Sequence, residues 1–325
     1  LFSSAASDVY KRQEIDKNNF DKALLLSIAY AATIGGMSTL VGTAPNIVFS
    51  SFMQEVYGLE IFMDDWMKLG VPVSICMLGL AWVILTRIVY PVSFTASDET
   101  KNTLSLMLSD MGPVSKDEFR VGIVFFVAVV LWMFRSLIDN YVIGLTDAGI
   151  AITVAIALFI IPSSGRNGEL LAWEQSSKLP WGLLLLFGGG LSLGVQINDT
   201  GLGLWIGQSL INLKTVPLII LVMAVAALII FLTEVTSNVA TTSTFLPVFG
   251  AVAVAVGVAP EVLTVPVVLA ASCAFMLPVA TPPNAIVYGA NKFKIIDMMR
   301  AGFLINIAGI FVVTIFAYYF AKVIF

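Results

Sequence analysis

Two polar, proline-containing motifs interrupt long apolar stretches of this chain at equivalent places. The first reads Gly42-Thr43-Ala44-Pro45-Asn46 and the second reads Ala280-Thr281-Pro282-Pro283-Asn284. Proline has no backbone N–H and interrupts the helical hydrogen-bond ladder. Inside a bilayer every backbone polar group needs a partner, so an unwound segment is tolerated only where protein or a water-filled cavity surrounds it. The motifs therefore predict two helices broken within a membrane, an arrangement typical of transport sites.

The rest of the sequence predicts an all-α polytopic membrane protein. Hydrophobic residues make up 58% of the chain and charged residues only 12%, which is the composition of an integral membrane protein. Most long apolar stretches approach the ~20 residues that cross a bilayer as a helix. They are Leu69–Tyr90, Val121–Ile138, Ala148–Pro162, Trp181–Ile197, Thr215–Leu232, Val262–Val279 and Ala301–Ala321. Two further stretches, Ala23–Ile34 and Phe245–Val258, are too short to span and suit half-helices or re-entrant hairpins.

One long polar segment divides the chain into two halves. Residues 95–119 mix charged residues, Ser and Gly-Pro, and a short helix is predicted at Thr103–Met107 within them. Arg87 precedes the segment and Arg120 follows it, so the positive-inside rule predicts a cytoplasmic linker. Residues 14–94 then form the first half of one membrane domain, and residues 120–325 form the second.

The first thirteen residues have a different character. They lack a signal-peptide layout, and residues 8–13 read Asp-Val-Tyr-Lys-Arg-Gln, the translated end of a common sequencing-library transposon. We interpret residues 1–13 as non-native adapter sequence and expect the protein's own sequence to begin near Glu14. Resequencing genomic DNA across this junction and finding these codons would contradict that interpretation.

A polar run in the second half carries oxygen ligands. Residues 233–242 read Thr-Glu-Val-Thr-Ser-Asn-Val-Ala-Thr-Thr between apolar segments. Facing lipid, each unsatisfied polar group would cost several kcal/mol, so the run is predicted to lie at a hairpin tip within protein or water. The alternative is that its hydroxyls only join helices. Together with carbonyls freed by Pro282 and Pro283, these oxygens suit a hard cation such as sodium, while helix N-termini suit an anion.

Glu234 is the only carboxylate between Lys214 and Glu261. An acidic residue within a membrane is by default a candidate for proton coupling or cation binding. A structural role at the base of a hairpin is the competing interpretation, and the sequence leaves both open.

Several function classes find no support in the residues. The chain has no His, which removes His-dependent catalytic triads and the usual zinc protease motif, and no P-loop motif is present. Cys76 and Cys273 lie in separate apolar stretches without metal or redox spacing. We predict no enzyme activity and no nucleic-acid partner. An ion channel stays open as an alternative, because hydroxyl-lined breaks also line pores.

These motifs resemble the divalent-anion/sodium symporter family, which imports di- and tricarboxylates or sulfate. The resemblance covers nearly all of residues 14–325. It rests on four stretches of sequence: Gly35-Gly36-Met37-Ser38-Thr39-Leu40-Val41-Gly42-Thr43-Ala44-Pro45-Asn46, Leu179-Pro180-Trp181-Gly182 continued by Phe187-Gly188-Gly189-Gly190-Leu191, the run at Ser237-Asn238, and Thr281-Pro282-Pro283-Asn284-Ala285-Ile286.

The resemblance implies two inverted repeats, each with a re-entrant hairpin followed by a broken helix. The second repeat would place its hairpin near residues 233–256 and its broken helix near residues 262–290. In the family both hairpin tips read Ser-Asn-Thr. Ser237 precedes Thr281 by 44 residues (281 − 237), so its equivalent before Thr43 would fall upstream of residue 1. The first repeat is therefore expected to be incomplete in this chain.

The resemblance also implies the binding residues. A first sodium site would use Gly42 together with upstream residues, and a second would use Thr233, Thr236, Ser237, Asn238 and Ala280. The substrate carboxylates would meet Thr43, Asn238, Val239, Thr281 and Pro282. The chain departs from the family at Val239, where the usual residue is Thr, so a methyl group replaces one hydroxyl and the choice of substrate is the property most affected.

The resulting functional prediction is a secondary active transporter in a bacterial inner membrane. It would couple sodium to the symport of di- or tricarboxylates resembling succinate, by an elevator-type movement within a homodimer embedded in lipid. The alternatives are a sodium-independent dicarboxylate exchanger and a carrier of sulfate or another oxyanion.

Overall fold

The structure is a computed structural model that describes residues 2–92, 98–138, 145–165, 168–178, 181–202, 205 and 216–325. Regular structure within these residues is helical apart from one isolated bridge between Pro162 and Glu169, so the all-α prediction is confirmed there. Three of the described helices are long and apolar enough to cross a membrane, namely Met63–Val89, Asn238–Val256 and Ile295–Ile324. The boundaries and motif positions predicted at Thr95, Leu179, Pro180 and Thr215 lie outside the described residues.

Thirteen described α-helices follow one another along the chain. They are α1 (Phe2–Gly36), α2 (Ala44–Tyr57), α3 (Met63–Val83, continued by a π-helix at Ile84–Val89), α4 (Asp98–Asp110), α5 (Lys116–Met133), α6 (Arg135–Ile138), α7 (Asp147–Ile160), α8 (Trp181–Asp199), α9 (Leu218–Thr233), α10 (Asn238–Val256), α11 (Glu261–Ala271), α12 (Pro282–Gly289) and α13 (Ile295–Ile324). Residues 2–13 belong to α1, and the boundary near Glu14 stays a prediction.

The chain divides into two compact units, and the candidate site lies in the larger one. That unit contains Leu1–Ile61, Asp65–Phe94 and Gly182–Phe325. Its centre is α11, whose residues are all buried, and which packs against α2, α9, α10 and α13. A short helix that is buried on every side can be apolar around most of its circumference, as α11 is.

Two helix boundaries differ from the predicted apolar stretches. The sequence predicts one stretch over Val262–Val279, but α11 ends at Ala271, and residues 272–281 are not helical. Conversely, α10 begins at Asn238, seven residues before the predicted Phe245. Thr242 donates to the Asn238 carbonyl four residues earlier at 2.7 Å, so part of the polar run satisfies its hydroxyls within a helix.

The second unit contains Phe62–Asp64 and Thr95–Trp181. Helix α4 is longer than the predicted Thr103–Met107, and α5 begins with a capping box in which Ser115 and Glu118 bond each other's backbone amides. This box satisfies two otherwise free N–H groups at the start of the helix. Helices α5 and α7 pack together. None of the predicted binding residues belongs to this unit.

Candidate functional site

The segment between α1 and α2, residues 37–43, is the first break. Asn46, buried in the first turn of α2, spans it with its side chain. The Asn46 Nδ2 group donates to the Thr39 carbonyl at 2.8 Å and lies 3.5 Å from the Gly36 carbonyl. A Cβ atom added at Gly36 would lie 2.9 Å from the Gly42 carbonyl oxygen. The break is therefore a closed turn whose two ends are held together by one amide side chain.

The segment between α11 and α12, residues 272–281, is the second break, and it repeats this arrangement. The Asn284 Nδ2 group donates to the Leu277 and Ala274 carbonyls, each at 3.0 Å. These acceptors lie seven and ten residues before the asparagine, as Thr39 and Gly36 lie before Asn46. The whole arrangement recurs at an interval of 238 residues (284 − 46).

The residues that start the second half of each broken helix also correspond. Thr43 caps α2 with φ −146° and ψ 146°, and Thr281 caps α12 with φ −141° and ψ 150°. Proline is the second residue after Thr43 and occupies the first two positions after Thr281, where its missing N–H costs little because no intrahelical acceptor exists there. The Thr281 hydroxyl additionally accepts from the Asn284 amide at 3.4 Å.

An aromatic side chain from another helix holds each break. The Trp66 indole N–H donates to the Met37 carbonyl at 3.0 Å, and the Tyr30 hydroxyl donates to the Phe275 carbonyl at 2.8 Å. Met37 and Phe275 are again 238 residues apart. Buried carbonyls without a helical partner need such donors. Trp66 and Tyr30 were not recognisable as site residues from the sequence, because a single aromatic in an apolar stretch is equally typical of a core.

A third element is the α9–α10 turn, residues 234–237. The Thr233 hydroxyl lies 2.7 Å from Asn238 Oδ1 and 3.0 Å from the Ala271 carbonyl, and its single proton can bond one of them at a time. The Thr236 hydroxyl lies 2.6 Å from that of Thr241. The structure thus brings Thr233 and Asn238 together, and the atoms that meet are uncharged hydroxyl and amide oxygens.

Other predicted site residues are distributed over the two breaks. Ala280 and Thr281 are buried at the end of the second break, Gly42 is exposed in the first, and Pro282 is exposed at the start of α12. Helix α1 packs against α12, and α2 packs against α10 and α11, so the first part of each broken helix contacts the second part of the other. Within the described residues, no hydrogen bond links Thr43 or Thr281 to the α9–α10 turn.

Val239 and Ser237 occupy the start of α10. Val239 is buried, whereas Ser237, the N-cap residue, is exposed and makes no side-chain capping bond. The N-terminus of α10 therefore presents backbone N–H groups without a side-chain cap, which favours a negatively charged ligand there.

Glu234 lies in a buried polar cluster. The sequence singles out Glu234 itself but not its partners. Its carboxylate accepts from the amides of Phe275, Met276 and Leu277 and from the side chain of Asn306. The available signal for Asn306 was its isolation as an amide within an apolar, membrane-length helix. This bonding is the kind expected of a structural role at the base of the hairpin, and the competing roles in proton coupling or cation binding stay predictions.

Asn46 and Asn284 give a matched pair of testable substitutions. Asn46→Asp and Asn284→Asp keep the side-chain volume but replace the donor amide with a second oxygen facing carbonyls. Each is expected to lower the free energy of unfolding by about 2–4 kcal/mol, because two hydrogen bonds are lost in a buried turn. Thermal unfolding of the purified protein in detergent measures this. Gln54→Glu, on the exposed side of α2, is the control, and equal stability of all three variants would contradict the bracing role.

Comparison with known proteins relates the chain to one family of membrane proteins. It matches the family described as "Sodium:sulfate symporter transmembrane region" over residues 5–325. The sodium-dependent dicarboxylate transporter SdcS of Staphylococcus saprophyticus is 38% identical over 314 residues, which cover 95% of this chain and 60% of the relative. Proteins of the same name from Staphylococcus aureus strains USA300 and MRSA252 are each 37% identical, over 92% and 94% of this chain.

The chain thus spans 60% of the length of the first of these relatives and 59% and 60% of the other two. The family match, in contrast, covers almost every residue of the chain. The chain therefore belongs to the sodium:sulfate symporter family of integral membrane proteins.

Proposed function

We propose that the protein containing this chain is a sodium-coupled symporter of di- or tricarboxylates, with succinate-like dianions as its first candidates. The observation that carries this proposal is the pair of matching breaks, in which the same bonds recur 238 residues apart in the non-helical segments that separate α1 from α2 and α11 from α12. Such paired interruptions are the sequence and structural mark of a transport site near the middle of a membrane. The names of the relatives supply the substrate class and the coupling ion.

The α9–α10 turn and the end of the second break would hold the second sodium ion. Uncharged hydroxyl, amide and carbonyl oxygens are ligands that a hard cation accepts. The 2.7 Å approach of Thr233 to Asn238 supports this set, since it already gathers two of the oxygens. The proposed ligands are Thr233, Thr236, Ser237, Asn238 and Ala280, and Gly42 would contribute to the first site.

The starts of α2, α10 and α12 would bind the anion. Free N–H groups and the positive end of the helix dipole stabilise a carboxylate there. The adjacent sodium ions would lower the cost of carrying its charge across a bilayer. The proposed contacts are Thr43, Asn238, Val239, Thr281 and Pro282. Because Val239 offers methyl groups where the family usually has a hydroxyl, it is the residue we associate with the choice of substrate.

We further propose that the matching breaks belong to two inverted repeats. Residues 14–94 would hold the remainder of the first repeat and residues 95–119 the cytoplasmic linker. Residues 120–325 would hold the second, with a re-entrant hairpin near 233–256 and a broken helix near 262–290. This division is supported by the hydrogen bonds of Asn46 and Asn284, which span equivalent breaks 238 residues apart. We also propose that the protein is a homodimer in a bacterial plasma membrane and that it carries its substrate by an elevator-type movement.

Uptake of labelled succinate into proteoliposomes tests the function. The complete gene product that contains this chain is reconstituted, with and without an inward sodium gradient. Saturable accumulation that requires the gradient is the expected result. Uptake that depends only on internal dicarboxylate would indicate an exchanger and would refute sodium coupling. Competition by sulfate alone, without competition by succinate, would instead identify an oxyanion carrier, the activity that the family description mentions.

A further inference from the structure

Glu234 and Asn306 form a buried polar pair that lies outside the proposed ligand set. Glu234 directly follows α9 and is 3% exposed, while Asn306 lies within α13 and is 0% exposed. The Asn306 amide donates to Glu234 Oε1 at 2.7 Å. A carboxylate among apolar helices is costly unless its oxygens are bonded. The groups that bond it therefore indicate what it does.

Three consecutive backbone amides of the second break point at this carboxylate. The N–H groups of Phe275 and Met276 donate to Oε1 at 2.8 and 2.9 Å, and that of Leu277 donates to Oε2 at 3.1 Å. With Asn306, four donors meet a group that has about four acceptor positions. Glu234 is thus engaged as an anchor for the unwound backbone, and hydrogen bonds to an ionised acceptor are the stronger kind.

The anchored backbone leads by hydrogen bonds to the proposed sodium ligands. The carbonyl of Leu277, whose amide bonds Glu234, accepts from the Ala280 amide at 3.2 Å and from Asn284 at 3.0 Å. On the other side, Glu234 is adjacent to Thr233, whose hydroxyl approaches Asn238. The carboxylate therefore lies between the two groups of oxygens that the second sodium site would combine.

We propose that Glu234 is a positioning residue for the second sodium site. It ties the α9–α10 turn to the second break through the amides of residues 275–277. By doing so it sets the spacing between the Thr233 hydroxyl and the carbonyl oxygen of Ala280, without contacting the ion. This inference rests on the proposed sodium coupling. It assigns a positioning role to a residue that binds neither sodium nor substrate.

Two substitutions of Glu234 separate its bonds from its charge. In Glu234→Gln the carboxamide oxygen can still accept from Phe275, Met276 and Asn306. The bond from Leu277 is lost, because the carboxamide nitrogen is a donor that would face the Leu277 N–H. Glu234→Ala removes all four bonds. Asn306→Ala removes one donor and leaves the carboxylate. Glu261→Gln is the matched control, because Glu261 is a carboxylate of similar burial, 6% exposed, at the start of α11.

The measurement is the sodium concentration that gives half of the maximal effect, read in two ways with the complete protein. One is the thermal stabilisation of purified protein by sodium, which reports binding alone, and the other is succinate uptake. Glu234→Ala is expected to raise this concentration about tenfold or more, and Glu234→Gln by a smaller factor, as one lost bond among several predicts. Asn306→Ala should raise it least, and the control should leave it unchanged.

Distinct results would overturn the proposal. Lower thermal stability of the Glu234 variants with an unchanged sodium midpoint would show a purely structural role. A pH dependence of uptake that Glu234→Gln abolishes would identify a proton carrier instead. If Glu234→Ala fails to fold, the sodium midpoints of Glu234→Gln and Asn306→Ala still test the proposal. A wild-type protein without sodium stabilisation or sodium-driven uptake would refute the proposed function itself, and the inference would fall with it.

Discussion

Asn238→Ala is expected to weaken the apparent affinities for sodium and for succinate together. Asn238 begins α10, its side-chain oxygen lies 2.7 Å from the Thr233 hydroxyl, and we place it in both the sodium site and the anion site. Losing one hydrogen bond to a charged ligand costs about 1.5–3 kcal/mol, which is roughly tenfold to a hundredfold in affinity. Half-saturation of uptake by each ligand, with the other held constant, measures the change.

Two companion variants sharpen this result. Thr281→Ala, at the cap of α12, is expected to weaken the binding of succinate directly, since its hydroxyl is assigned to the anion, and the binding of sodium through the coupling between the two adjacent ligands. Cys76→Ala is the control, because Cys76 is a free, exposed thiol on α3. Normal half-saturation for both ligands in Asn238→Ala would remove the residue from the site, and a change for succinate alone would assign it to the anion only.

Gly302→Ala is expected to disrupt the second break although it adds a single methyl group. Helix α13 approaches the unwound backbone at Gly302, where an added Cβ would collide with the Phe275 carbonyl and lie 2.6 Å from the Met276 amide nitrogen. Backbone cannot rotate away as a side chain can, so the helix or the break must shift. We expect a loss of about 1–3 kcal/mol in unfolding free energy, together with strongly reduced uptake.

The same helix contains a matched control. A Cβ at Gly309, which is also buried, would meet side chains only, the nearest being Met77 at 3.4 Å. Because this is ordinary contact and Ala has the higher helix propensity, Gly309→Ala is expected to change stability by less than about 1 kcal/mol. The first break offers an independent repetition: Gly70→Ala would place Cβ 2.6 Å from the Met37 carbonyl, whereas Gly79 has open space. Equal thermal stability of Gly302→Ala and Gly309→Ala would contradict the close approach.

The end of each break is predictable from its prolines, but the start of the second break after Ala271 and the groups that hold both breaks are not. Pro45 and Pro282 stand in apolar stretches, so local sequence alone marks an interruption of the helix. Tyr30, by contrast, donates to a carbonyl 245 residues away. Nothing in its neighbourhood indicates that partner, because it is set by how α1 packs in the folded protein.

The α9–α10 turn shows the same division. Its polar residues predict a binding site, and in the structure the Thr233 hydroxyl contacts the Asn238 side chain. The sequence does not predict the helical start at Asn238, because Ser and Thr are typical of turns unless their hydroxyls bond helical carbonyls. Glu234 is unusual as the one carboxylate of its apolar region, but the sequence does not indicate that three backbone amides of the second break surround it. Gly302 carried no signal, since a glycine in an apolar helix does not reveal what approaches it.

The hydroxyl of Tyr30 bonds the Phe275 carbonyl, so a residue of the first broken helix stabilises the second. Residues that share a contact are not expected to contribute additively to stability. Substitutions in the two breaks should therefore show epistasis, and a double-mutant cycle between Tyr30→Phe and a change in the second break would measure it. Randomising one break while the other is kept constant would then sample only sequences compatible with the existing partner, so new substrate specificities would require covariation of both.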